Sequence, residues 1–263
     1  MRDRLRVRTP ALVLLTALAG CGPPSTPVIA NRAEPAAPSS APLRDRVIAV
    51  TGHVLVLKSQ ATFAEYRDVI ASALTIEGVI AATPFTFNEL KVSSAKHPEA
   101  IPVAVKGVEP AEAVRVLSPY LLQGAARGLD DPKLPSVIVG DVLASTLDVR
   151  VGDNLAAELP ADPSPASAAV SPPPAKHRFR VAGMFHLGVE DYDRRLAYAS
   201  LPVLQGVIGR GDSVLGVQIR IKDRDRAEEI ARKLEEQLGG IPYSALDWYT
   251  LNRALFDAEP PPR

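Results

Sequence analysis

His53-Val54-Leu55-Val56-Leu57-Lys58 is a β-type run, and Thr62-Phe63-Ala64-Glu65 follows it with the spacing of a capping box. Phe63, Tyr66, Val69, Ile70, Ala73 and Leu74 then recur at helical spacing, which predicts an amphipathic helix capped by Thr62 with Glu65 reaching back. A second extended stretch, Val79 to Ser93, completes a β-α-β unit whose folded sequence starts near Val47.

The same order returns near the far end of the 263-residue chain. Val214 to Ile221 is strand-like, and Ala227, Ile230, Ala231, Leu234 and Leu238 form a helical stripe. Glu228 with Arg232 and Glu229 with Lys233 make i,i+4 pairs on the opposite face. Gly239-Gly240 stops that helix, and Ile241 to Leu246 supplies the return strand. Two such units side by side predict an α+β fold of ferredoxin-like, split β-α-β type, built from both chain ends.

The segment between them predicts an inserted, mainly-β second lobe. Val103 to Val108 and Ser136 to Val139 are short strands, Gly140-Asp141 opens a short helix through Leu147, and Val151-Gly152-Asp153 turns into a strand from Asn154 to Leu159. Pro160 to Lys176 then holds Pro160, Pro163, Pro165, Pro172, Pro173 and Pro174, with Val170 as its one sizeable apolar side chain. Regular structure resumes at Arg178 to Phe185, so the whole reads as a hairpin with a long protruding loop, a length that is usually functional or disordered.

The N-terminus has a different character. Arg2, Arg4, Arg6 and Arg8 precede a short apolar run from Ala11 to Ala19, and small residues lead to Cys21, the sole cysteine. That is a secretory signal, with an apolar core about half the roughly 20 residues that a membrane span needs. Leu18-Ala19-Gly20-Cys21 resembles a bacterial lipoprotein signal, in which residues 1–20 are removed and Cys21 carries fatty acyl chains such as palmitate. Residues 21–44, rich in Pro, Ala and Ser, then read as an extended tether.

Composition narrows the function. A lone cysteine excludes an intrachain disulfide, so stability rests on an apolar core that 46% hydrophobic residues can supply. Lys+Arg and Asp+Glu each number 30, which gives no basic field for a nucleic acid. No nucleophile elbow, phosphate-binding loop, dinucleotide fingerprint or zinc-protease motif occurs, so the chain reads as a non-enzyme that needs no cofactor. His186, Glu190, Asp191 and Asp193 lie close in sequence and raise a metal-dependent hydrolase as a competing idea, but no helix or strand spacing joins them, and the expectation is a solvated acidic turn with no metal. Arg210-Gly211-Asp212-Ser213 reads as a turn, and Trp248, Tyr249, Leu251, Leu255 and Phe256 as a helix packed on the sheet.

Taken in order, the segments resemble the periplasmic domain of lipoprotein-releasing ABC permeases (LolC/LolE type) and, more distantly, the MacB periplasmic core. The strings that carry this are Arg46 to Val54, Thr83-Pro84-Phe85, Val105 to Pro110, Val137 to Gly140 with Leu143-Ala144, Val151-Gly152-Asp153, Phe179 to Phe185 with Gly188, Tyr192 and Tyr198, and Trp248-Tyr249-x-Leu251-Asn252-x-x-Leu255-Phe256. No single string is specific; their shared order over residues 44 to 257 is.

The resemblance implies a porter-like half (47–95 and 213–257) around an inserted lobe (96–212) within a domain spanning 45–257, and a tail at 258–263. It implies transporter subunits, a soluble lipoprotein carrier or lipoprotein cargo as partners, with Pro160 to Lys176 in the position of the hook that engages the carrier. Because Gly22 rather than Asp follows Cys21, comparison with sorted lipoproteins points to the periplasmic face of the outer membrane. The chain departs from the permeases in having a lipoprotein signal where their first membrane helix stands. The expectation is a membrane-tethered docking protein beside an exporter; the alternative is a structural envelope module that associates through exposed sheet edges.

Overall fold

Helix α1 (Leu43–Thr51) leads into β1 (Val54–Lys58), α2 (Tyr66–Leu74) and the 16-residue β2 (Val79–Ser94). There follow β3 (Ile101–Val108), α3 (Pro110–Leu117), β4 (Leu121–Gly124), β5 (Ser136–Gly140), α4 (Asp141–Thr146), β6 (Asn154–Glu158) and β7 (His177–Phe185). The last part comprises α5 (Glu190–Arg195), β8 (Leu196–Ser200), α6 (Leu201–Ile208), β9 (Gly216–Ile221), α7 (Ala227–Gln237), β10 (Tyr243–Asp247) and α8 (Trp248–Phe256). This computed structural model describes residues 42–59, 62–130, 135–160 and 175–256, with side chains as far as 253.

The length of β2 lets one strand serve two pieces of architecture. Its first part, Val79 to Phe85, pairs with β9, while Phe85 to Val92 pairs with β3. The first part closes an antiparallel sheet of order β10-β1-β9-β2, so strands from the two chain ends alternate. Helices α2 and α7 cover one face: Tyr66, Val69 and Ala73 with Ile230, Ala231 and Leu234 pack on Val54, Val56, Val217, Ile219 and Ile221. Each of the larger side chains gains roughly 1.5–3 kcal/mol from leaving water, which outweighs the modest helix propensity of these sequences.

The second part of β2 belongs to a barrel. The pairings β2–β3, β3–β8, β8–β5, β5–β7, β7–β6 and β6–β2 close on themselves as a six-stranded ring. Every strand sends two alternate residues inward: Leu90 and Val92, Val103 and Val105, Ala197 and Ala199, Val137 and Val139, Phe179 and Val181, Leu155 and Ala157. Small alanines opposite Leu and Phe fit the narrow lumen of so few strands. Leu143 on α4, Leu147 at its end and Leu204 on α6 belong to the same cluster.

An apolar cluster that includes Val50, Leu55, Phe85, Val108, Leu117, Ile138 and Tyr198 packs between the barrel and the uncovered face of the first sheet, and a buried polar network joins the two. Lys106 on β3, buried, donates to the Val50 carbonyl (2.7 Å) and to Gln218 Oε1 on β9 (2.8 Å). Gln218 Nε2 donates to Glu112 on α3 (2.5 Å), and Arg220 donates to the Ala49 carbonyl (2.6 Å). Two cations thus hold the terminal carbonyls of α1, which offsets the negative end of its dipole.

Three expectations need correction. The capping box does not form: Phe63 makes an isolated bridge to Val214, and Glu65 turns to Lys58 (2.5 Å) and the Tyr243 hydroxyl (2.5 Å). The helix therefore begins at Tyr66, with no side-chain cap. Helix α1 already occupies Leu43–Thr51, overlapping the segment read as tether and beginning before Val47, because Ile48 and Val50 are buried and Asp45 pairs with Arg224. Strands β4 and β8 and helices α1, α3, α5 and α6 have no counterpart in the sequence reading.

Candidate functional site

Strands β6 and β7 form the predicted hairpin, in register from Asn154↔Arg180 to Ala157↔His177. Alternation fixes its orientation: Leu155, Ala157, Phe179 and Val181 face the lumen, and Arg178 and Arg180 are exposed. The free side of β6 is held by β2, from Lys91↔Glu158 to Ser94↔Leu155. Ser94 reinforces this rim, donating to the Leu147 carbonyl (2.6 Å) and accepting from the His97 amide (2.9 Å). The loop thus leaves from a base laced on both sides, with Pro160 half-buried at its start and Lys176 exposed at its return. Pro163, Pro165, Val170, Pro172 and Pro174 lie outside the described residues, as does Cys21.

The acidic cluster is not the solvated turn that the sequence suggests. Glu190 and Asp191 open helix α5, where Glu190 pairs with Arg194, whereas Asp193 is 1% exposed. The Asp193 carboxylate accepts from the amides of Leu187 (2.7 Å) and Gly188 (2.9 Å). Burial, the largest influence, raises its pKa, against the lowering effect of these bonds. His186 Nδ1 stands 3.2 Å from Asp141 Oδ1 and 3.5 Å from Asp193 Oδ2. The structure thus joins His186 and Asp193 but not Glu190 or Asp191, and it adds Asp141. Sequence spacing could not find Asp141, which is 45 residues from His186; the only signal is that each directly follows a strand.

The other singled-out residues are structural. Gly209 (φ 66°) and Gly211 (φ 59°) make the turn before Ser213, and the Asp212 carboxylate accepts from the Tyr66 hydroxyl (2.7 Å) and Arg67 (2.8 Å). The bonds from Arg67 and Tyr66 lower the Asp212 pKa. Trp248 packs in the α2/α7 core, with the Arg44 guanidinium 5.3 Å from its ring centre. Among the described residues no helix is long and apolar enough to cross a membrane.

These features define a class: an α+β domain whose two ends share one sheet around an inserted six-stranded barrel that presents a braced hairpin. The chain is homologous to LolC, the transmembrane protein of a lipoprotein-releasing system. It is 30% identical to that protein from Xylella fastidiosa (strain 9a5c) over 218 residues, 82% of this chain and 51% of the relative. It is 23% identical to LolC from Neisseria meningitidis serogroup B (strain ATCC BAA-335 / MC58) over 219 residues, again 82% of this chain and 51% of the relative. The chain therefore spans about half the length of the curated relatives it matches. No family model matches it. Among solved structures, the periplasmic region of MacB from Actinobacillus actinomycetemcomitans superposes with a TM-score of 0.49 at 10% identity, covering 83% of this chain and 99% of that one. The extracellular domain of the noncanonic ABC-type transporter YknZ gives 0.49 at 14% identity, covering 74% and 100%.

Proposed function

We propose that this chain is a non-catalytic docking module that works beside an ABC-type lipoprotein or substrate exporter in the bacterial envelope, moored to a membrane through acylated Cys21. The observation that carries the reading is the 218-residue match to a lipoprotein-releasing protein. The hairpin of β6 and β7, braced along both strands of its base, supports the loop from 160 to 176 as the contact element. Proline restricts that loop before it meets a partner, which lowers the ordering cost of docking.

The tether that follows Cys21 reaches at most about 3 Å per residue, enough to carry the folded part tens of ångströms from the lipid. The outer membrane is the proposed site, from Gly22 after the lipidated cysteine. In this reading, strands from 47–95 and 213–257 form the porter-like half and 96–212 the inserted lobe.

The test replaces residues 161–174 with a short Gly-Ser linker and compares affinity purification of lipidated wild type and variant. Transporter subunits, a lipoprotein carrier or lipoproteins should co-purify with the wild type alone. Equal recovery from both, or a wild type that brings down none of these, overturns the proposal. A stable self-associated species in sedimentation that survives loop replacement would instead favour a structural module pairing through the edge strand β10, which among the described strands pairs with β1 alone.

A further inference from the structure

Strands β5 and β7 run parallel, and their last residues, Gly140 and Phe185, are partners in register. Each strand gives way at once to a metal-ligating residue, Asp141 after β5 and His186 after β7. Helix α5 delivers the third group. Its approach depends on Gly140, where a Cβ would stand 2.1 Å from the Asp193 carbonyl oxygen. Glycine at that position lets the helix backbone lie against the end of β5, so Asp193 reaches the same point.

We propose that Asp141, His186 and Asp193 form a binding site for a divalent transition-metal ion, zinc foremost, with water completing the coordination. One donor atom from each residue lies within 4.8 Å of the other two. The His186 Nδ1 separations of 3.2 Å and 3.5 Å bracket the ligand–ligand edge of about 3.3 Å expected for tetrahedral zinc with bonds near 2.05 Å. An imidazole with two carboxylates is a borderline donor set that suits zinc and its neighbours better than calcium or magnesium.

Charge and support point the same way. A divalent ion would bring positive charge to Asp141 and Asp193, two carboxylates that are both buried. The amides of Leu187 and Gly188 hold the Asp193 carboxylate in place, as outer-shell donors do around metal ligands. His186 keeps 25% of its side chain exposed, which leaves an edge for entry and for a water ligand. Arg46, whose guanidinium donates to the neighbouring Leu187 carbonyl, adds positive charge nearby. Bound metal would clip α5 and the turn before it onto the ends of β5 and β7.

The test uses the untagged full-length chain, stripped with a chelator and titrated with zinc chloride by calorimetry and thermal unfolding. One ion per chain should bind, and a hundred-fold excess over Kd should raise Tm by about 5–10 °C. Binding should be lost in His186→Ala and Asp193→Asn and kept in His177→Ala. No heat and no Tm change, or binding that survives both cluster substitutions, overturns the site. Cobalt added to the wild type provides a readout that needs no variant: intense tetrahedral d–d bands support the site, and a spectrum equal to aqueous cobalt sinks it.

Discussion

The ammonium group of Lys106 lies 2.8 Å from the amide oxygen of Gln218, so a barrel strand and a strand of the interleaved sheet are joined through one buried cation. Its second partner, the Val50 carbonyl at 2.7 Å, extends this join to the end of α1. Helix α1 is where the chain arrives from its N-terminal segment. The end of α1 is therefore hydrogen-bonded to both halves of the fold, through Lys106 on β3 and Arg220 on β9.

Lys106→Met keeps most of the stem volume but leaves Gln218 Oε1 and the Val50 carbonyl without this donor. Equilibrium urea unfolding should show a loss of about 2–3 kcal/mol. Burial pushes the Lys106 pKa down to about 7, the largest influence on it, against about 10.4 in an unfolded chain. The folded state therefore disfavours the charged amine. The penalty is complete below about pH 7 and is relieved as pH rises toward the unfolded value. Wild type should gain stability relative to the variant between these limits; a pH-independent difference would contradict the assignment.

His53 gives an acid-side counterpart. Its Nδ1 accepts from the Ile221 amide (3.0 Å), and burial, followed by Arg220, Arg224 and Arg115, lowers its pKa to about 4. The unfolded ring takes up a proton near pH 6.5, so this stabilisation is present above pH 6.5 and is lost as pH falls toward 4. Solvent screening of the partly exposed ring limits the effect to at most about 2 kcal/mol. The stability difference between wild type and His53→Ala, measured at pH 7.5 and pH 4.5, should shrink at the lower value.

Two glycine substitutions should act in opposite directions. Gly140→Ala drives a methyl group into the backbone of Asp193 and should cost about 3 kcal/mol with displacement of α5. Gly206 lies within α6 with nothing inside 4 Å of its would-be Cβ. Gly206→Ala should therefore stabilise the protein by about 0.5–1 kcal/mol. Paired thermal melts test both signs.

Much of the interleaved sheet was readable from HVLVLK, from the stripes at 63–74 and 227–238, and from the Gly239-Gly240 stop, because each signal is local. The hairpin of β6 and β7 was readable for the same reason, from the proline-rich break between two alternating runs. The barrel was not. Val79 to Ser93 reads as one strand, and nothing local says that it changes partners at Phe85 or that β6 returns to close on it. Helix α3 was hidden because its buried face includes Glu112, a charge that its tertiary partners Gln218 and Arg220 satisfy. Asp141 escaped because it joins His186 only through the parallel alignment of β5 with β7. The capping box at Thr62 failed because the bridge from Phe63 to Val214 holds that segment extended.

The most direct test of the docking account is photo-crosslinking in the native envelope, with a photoreactive amino acid at Val170 in the proline-rich loop and, as a control, at exposed Ile80 on the opposite half of the fold. The account predicts adducts from position 170, but not from 80, with a transporter subunit, a lipoprotein carrier or a lipoprotein. Identical adducts from both positions, or none from position 170 in a lipidated, folded protein, would contradict it.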